Sequence, residues 1–308
     1  MAQSWTATLR ERLDTDIAYS FRRSPITVVA TVVTLAFLLA ALFAPWISPQ
    51  DPFDPASLDL LDAFTAPVWA DGGSWRFWLG TDDQGRDIFS AILFGLRISL
   101  FVGFASVLFS LVIGVALGLM AGYLGGIVDS IIMRVADVQL SFPNILIALL
   151  INGVARVVLP RASVEDLAVP VLVLSIGLSG WVNFARTVRG STMVEKGKEY
   201  VQAARVIGRP TPMIMLRHVL PNVMGPVLVI ATISLAVAIL AEATLSFLGV
   251  GVPPTQPSLG TLVNSGNNYL FSGEWWIVIF PGATLALLVL AVNLLGDWLR
   301  DALNPRLR

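Results

Sequence analysis

The sequence predicts an all-α polytopic membrane protein of about six transmembrane helices, with both termini in the cytoplasm. Three observations predict it. Of 308 residues, 56% are hydrophobic and only 13% are charged, against about 25% charged in a soluble domain. Apolar stretches long enough to cross a bilayer, roughly 20 residues each, recur along the chain. The basic residues are unevenly placed. Arg10, Arg12, Arg22 and Arg23, then Arg186, Arg189, Lys196, Lys198, Arg205, Arg209 and Arg217, then Arg300, Arg306 and Arg308 fall on one side. The other side has Arg76, Arg86, Arg156 and Arg161, and Arg97 and Arg134 sit at helix ends. Lys and Arg bias, not the net charge of -1, sets orientation.

Residues 1–24 form a cytoplasmic or interfacial segment. Within it Trp5, Leu9, Leu13, Ile17 and Phe21 are spaced by four, which predicts a helix over Ser4–Phe21 lying in the inner interface. The first span, Ile26–Trp46 within residues 25–47, is too long for the apolar part of a cleaved signal and is retained. Residues 48–96 form an extracytoplasmic loop. Its Pro49, Pro52 and Pro55 disfavour helix, and it is rich in aspartate.

The core, residues 97–300, holds the other spans: Ile98–Tyr123, Ile131–Ile151 broken by Pro143, Leu167–Ala185, Val223–Val250 and Trp276–Leu299. The stretch "GVALGLMAGYLGG" supplies small residues for helix–helix contact. Asp137 follows Arg134 by three residues, the spacing of a helix-surface ion pair. Asn144 is placed to bond backbone freed by Pro143. Residues 301–308 are a cytoplasmic tail.

A polar cytoplasmic loop at about 186–222 interrupts the apolar runs. Glu199 to Ile207 reads as a short helix with Val201, Ala203, Ala204 and Ile207 on one face. Gly208 ends it, because glycine takes the left-handed cap conformation without steric cost. Pro210 and Pro212 start a second short helix, about Pro212–His218. Leu220-Pro221-Asn222 closes the loop, with Pro221 opening the fifth span. Alanine and glycine here permit close approach by another surface; an amphipathic connector at the membrane is the other reading.

Several chemistries are excluded. The chain has no cysteine and one histidine, so thiolate and histidine metal sites are not expected. It lacks the phosphate-binding pattern GxxxxGK[ST]. No Ser-His-Asp arrangement is arguable, since His218 lies in the loop. No catalytic residue, metal or cofactor is expected in this chain. Glu242 sits midway in the fifth span, where an ionisable group is costly. It marks a polar path through the membrane or a contact between subunits, with Ser246 and Phe247 beside it, or it is a structural acid, protonated or bonded to a neighbouring helix. Asn293 in the sixth span is a candidate for the same surfaces or for interhelical bonding.

The loop "QAARVIG…HVLP" resembles the signature loop of the membrane subunits of bacterial ABC importers. Ala203, Ala204, Gly208, Leu220 and Pro221 match it; Gln202 replaces the usual acidic residue. His218 is similar to the dipeptide, oligopeptide and nickel permeases, as are "LGTDDQGRDIFSAILFGLRISL", "MRVADVQLSFPNIL", "EATLSFLGVGVPPTQPSLG" and "NLLGDWLRDALNPRLR". The resemblance covers about Ser24 to Arg308, and the first outer loop resembles that of the second, C-type member. It implies a type I importer fold in the bacterial inner membrane. It also implies a second homologous permease, two ATPase subunits that bind ATP and Mg, and an extracytoplasmic substrate-binding protein, all in contact with this chain or its bilayer. No nucleic-acid partner is expected. The loop, including Glu199 and His218, would be the element that couples the ATPase to the spans. Relatives carry dipeptides, longer peptides, nickel chelates, glutathione or haem. A secondary transporter would want more intramembrane acids and an inverted repeat; a scaffold would leave the loop unexplained.

Overall fold

The computed structural model describes residues 16–160, 166–253 and 255–302. Among these the structure is helical: α1 Asp16–Arg23, α2 Pro25–Ile47, α3 Ile88–Leu124, α4 Gly126–Leu140, α5 Asn144–Val158, α6 Ala168–Glu195, α7 Glu199–Val206, α8 Thr211–Phe247, α9 Leu259–Asn267 and α10 Trp276–Ala302. Five of them, α2, α3, α6, α8 and α10, are long and apolar enough to cross a membrane. A sixth span exists only if α4 and α5 are taken together.

That pair is the expected third span broken by Pro143, and the break is sharper than a bend. The chain stops at Leu140 and restarts at Asn144, and the two pieces meet at 95°. Pro143 has no N–H to give to a continuing helix and disfavours the helical conformation in Phe142. It serves instead as the N-cap of α5, where its carbonyl accepts from Leu146 N at 2.9 Å.

Two span ends also differ from the hydropathy reading. Helix α3 begins at Ile88, ahead of Ile98, because the Asp87 carboxylate caps it by accepting from Ser90 N at 2.8 Å. Helix α6 runs past Ala185 to Glu195. Its two arginines do not end it, because each meets an aspartate of α4: Arg189 with Asp129 and Arg186 with Asp137. Asp137 therefore pairs across helices, not with Arg134 as its spacing suggested.

Ser24 caps α2, accepting from Thr27 N at 3.3 Å, with Pro25 in the first turn. Of the expected N-terminal helix, residues 4–15 lie outside the described residues, as does the tail from 303 onward. The remainder, α1, sets Phe21 edge-on against Trp298 of α10, with ring centroids 5.2 Å apart. Residues 48–87 fold over the ends of α3 and α10. Gln50 Oε1 accepts from Asp87 N at 2.7 Å, and Trp276 Nε1 donates to Thr81 O at 3.1 Å.

The most extensive helix contact is between α3 and α6. Its cause is a stripe of glycines one turn apart on α3. A Cβ on Gly114 would lie 2.5 Å from Phe184 Cβ, one on Gly118 2.4 Å from Ala185 O, and one on Gly122 2.7 Å from Arg189 O. From α6, Gly177 gives room to Phe109 in the same way. Without side chains in between, the two backbones touch, which is how helices associate in a medium as apolar as themselves. The glycine-rich stretch thus does serve helix contact. One apolar cluster runs down this seam from Val102 and Leu172 through Leu119 and Phe184 to Val201, Ile214 and Val219. A second, around Ile92, Leu96, Ile239, Leu259 and Leu288, joins α3, α8, α9 and α10 at the opposite end.

Gly118→Val should lower the detergent-solubilised melting temperature clearly, since overpacking of this kind costs about 1–3 kcal/mol. Gly153→Val, on α5 where a Cβ meets nothing within 4 Å, should not. Equal melting temperatures for the two variants would contradict the seam.

Candidate functional site

The loop at the end of the seam is built from below. Glu199 stands exposed in the first turn of α7, and Val201 and Ala204 are buried beneath it. Gly208 has φ +79°. Its N–H donates to Arg205 O at 2.9 Å and that of Arg209 to Ala204 O at 3.1 Å, the paired bonds of a Schellman ending. The chain then turns at Pro210, whose carbonyl accepts from Met213 N and Ile214 N at 3.0 and 3.1 Å.

Here the expected second short helix is not separate. From Thr211 the chain is helical without a break to Phe247, passing through one widened π turn, Met215–Val219. Leu220 N accordingly bonds back to Met215 O. Pro221 explains the turn: in a regular helix its ring would strike the carbonyl four residues earlier, and a π turn takes up that clash. Leu220 is half-buried and Pro221 exposed. His218 lies inside the π turn, and its carbonyl accepts from Asn222 Nδ2 at 2.7 Å.

Polar side chains fix this assembly to the spans. Arg205 Nε donates to Tyr123 OH at 3.0 Å, with the guanidinium carbon 4.9 Å above the Tyr123 ring. Lys196 Nζ donates to Gly122 O at 2.9 Å. The Tyr200 hydroxyl donates to the Glu195 carboxylate, which also pairs with Lys198 at 2.8 Å. Burial, and then that carboxylate, push the Tyr200 hydroxyl up to about 12, so it remains a donor at neutral pH.

The upper surface is exposed instead. Val206 is 88% exposed and Ile207 76%, with Ala203, Gly208, Met213 and Leu216 exposed beside them. This divides the four residues expected on one face. At 100° per residue Val201 and Ala204 point down, while Ala203 and Ile207 point away. The exposed set is an apolar, small-residue patch held rigidly by the ends of α3 and α6, and such patches mark contact surfaces.

Glu242 belongs to a different place. It is 0% exposed, and its two carboxylate oxygens accept from Ser99 and Ser246 hydroxyls, both at 2.7 Å. Ser99 Oγ accepts in turn from Leu259 N at 3.2 Å, and Ser246 Oγ from Val252 N at 3.3 Å. One acid thus ties α3, α8, the turn after α8 and the start of α9. The approach is close: a Cβ on Gly260 would lie 2.4 Å from Ala243 O. This geometry supports the reading of Glu242 as an acid bonded to neighbouring helices. Phe247 gives its carbonyl to Asn264 Nδ2 at 2.6 Å. Asn293 is half-buried on α10 and outside this network.

Between α3, the α4–α5 break, α6 and α8 lies a cavity of about 440 Å³. Ser106, Ser110, Asn144, Ser179, Asn183, Arg186 and Ser234 line it among apolar residues; Glu242 does not. Asn144 faces this cavity instead of bonding the break. Ser110 and Ser179 donate to Gly177 O and Ile176 O, each at 2.7 Å. Ser106 Oγ is buried with no partner among the described residues, which ordinarily costs about 1–3 kcal/mol. Sequence reasoning passed over Ser106, Tyr123, Glu195 and Tyr200. The Ser106/Ser110 pair one turn apart in an apolar span was the one available signal.

Residues 114–308, which hold the loop and much of the cavity wall, match the profile of the binding-protein-dependent transport system inner membrane component. The chain belongs to that family. Residues 15–67 match the N-terminal TM domain of oligopeptide transport permease C. The di/tripeptide transport system permease protein DppC of Pseudomonas aeruginosa is 41% identical over 89% of this chain and 86% of its own. The oligopeptide transport system permease protein OppC of Bacillus subtilis is 36% identical over 95% and 90%. An inward-facing MetNI methionine ABC transporter shares the fold, with TM-score 0.53 and 21% identity over 70% of this chain and 96% of its own. The protein is therefore an ABC importer permease, a multi-pass transport component of the bacterial inner membrane. Neither a secondary transporter nor a scaffold accounts for these matches.

In this permease Glu242→Gln should retain folding and most activity, because an amide keeps the size and the acceptor for one serine. Glu242→Ala should cost about 2–5 kcal/mol through the hole and the unpaired hydroxyls, read as loss of assembled protein on size-exclusion chromatography. If Gln is as damaging as Ala, the carboxylate charge itself is required.

Proposed function

We propose that this permease is the C-type membrane subunit of an ATP-driven importer for peptides or a related small polar solute. It forms half of the translocation path with a homologous second permease. Two ATPase subunits, which bind ATP and Mg, dock on the loops of the two permeases, and an extracytoplasmic binding protein delivers the solute. Both termini and the α7 loop face the cytoplasm.

The observation that carries this reading is the α7 surface. Val206, Ile207, Met213 and Leu216 are exposed on a loop whose underside is locked to α3 and α6. An apolar patch on a rigid mount suits a partner that must push on the spans. The excess of arginine and lysine on that side supports a cytoplasmic position. The names of the relatives, which transport dipeptides, tripeptides and oligopeptides, support the substrate class.

Gly208 is the position that tests it. A Cβ there meets nothing within 4 Å among the described residues, so damage from a side chain arises from the left-handed backbone, about 1–2 kcal/mol, and from whatever sits on the loop. Gly208→Val should leave the permease inserted and paired, and abolish cargo-stimulated ATP hydrolysis and uptake together in the reconstituted complex. Arg209→Ala should be mild. Coupled uptake at the normal rate in Gly208→Val, with normal subunit stoichiometry, would make the loop a mere connector. Labelling of a cysteine at Lys196 by an impermeant reagent on intact cells would place it on the wrong side.

A further inference from the structure

The cavity between α3, the α4–α5 break, α6 and α8 has a mostly apolar wall. Apart from Arg186, its polar side chains are hydroxyls and amides, among them Ser106, Ser110, Ser179, Asn183 and Ser234. The one formal charge on the described wall is Arg186, and Asp137 neutralises it. Ala238 and Ala241 of α8 line the cavity, while the adjacent Glu242 is turned away and fully buried. The carboxylate nearest in sequence is thus kept off the wall.

The hydrogen-bonding inventory is specific. Ser110 and Ser179 give their protons to backbone carbonyls within the chain, so their remaining lone pairs accept. Ser106 has a buried hydroxyl with no partner among the described residues, so it can donate or accept. The Asn183 carboxamide does both. Such a wall matches an N–H and a C=O presented together. Apart from Arg186, which is already paired with Asp137, it presents no formal charge to a charged side chain. A lipid acyl chain would bond neither the Ser106 hydroxyl nor the Asn183 carboxamide. The volume, about 440 Å³, lies in the range of small-molecule sites.

We infer that this cavity is a stretch of the cargo's route whose wall bonds main-chain amides and passes side chains of either charge. The inference rests on the peptide-permease reading and deepens it. Selection among peptides then belongs to the binding protein, and this wall supplies passage.

The reconstituted complex tests it in two ways. Because the chain has no cysteine, single cysteines at Asn183, Ser234 and Leu150 can be compared. Leu150 is exposed on the apolar face of α5. A charged, water-soluble thiol reagent should modify the first two much faster than the third, and saturating dipeptide should slow it. Equal slow rates at all three would overturn the inference. Separately, uptake of Ala-Glu and Ala-Lys, each preloaded on the binding protein, should be similar in the wild type. Ser234→Asp should slow Ala-Glu relative to Ala-Lys by about tenfold, from like-charge repulsion in a confined site, whereas Ser234→Asn should leave the ratio unchanged. An unchanged ratio in Ser234→Asp, or a strong charge preference in the wild type, would also overturn it. Absence of ATP-driven dipeptide uptake in the wild type would instead sink the peptide-permease reading itself.

Discussion

The backbone contact between α3 and α6 is the constraint on which the rest of this permease hangs. Gly114, Gly118 and Gly122 leave no room for a Cβ against Phe184, Ala185 and Arg189. In lipid there is no hydrophobic force to bring helices together, so shape decides, and glycine is the shape. The seam fixes what lies along it. Its middle carries Ser106, Ser110, Ser179 and Phe184 on the cavity wall. Its end carries Gly122 and Tyr123 from α3, Glu195 from α6 and the adjoining Lys196, the groups that grip α7. The proposed docking surface and the cavity wall are thus two parts of one packed unit.

The other end of the bundle is fastened by hydrogen bonds instead. Glu242, Ser99 and Ser246 bind α3, α8 and the N-terminus of α9 through partners far apart in sequence. A buried acid is costly when unpaired and rigidifying when every oxygen is satisfied. The α8 end uses the device seen at the loop: Gly249 at φ +75°, with Val250 N bonded to Leu245 O.

What could be read from the sequence was local. The long apolar runs, the cap at Gly208 and the glycine-rich contact in α3 each follow from a few adjacent residues. What could not be read depends on distant partners. Arg186 and Arg189 look like the end of a span until Asp137 and Asp129 of α4 are seen to neutralise them. Asp137 has two arginines in reach, and spacing alone favoured the wrong one. Pro143 signals a bend, but the 95° break reflects packing of α5 against α6. The two faces of α7 were legible from helical periodicity, and grouping its small residues by type obscured them. The role of Glu242 required knowing that Ser99, 143 positions away in the chain, lies beside it.

If the seam makes one body of loop and cavity wall, ATP-driven movement must carry both together. Spin labels at Val206 on the loop and at Phe104 on the exposed side of α3 report this directly in the assembled importer. The expected result is the same Val206–Phe104 distance distribution in nucleotide-free and nucleotide-trapped states, while the distance from Val206 to a label on the second permease changes. A shift in the Val206–Phe104 distance on nucleotide trapping would mean that the loop moves independently of the seam, and would contradict rigid coupling.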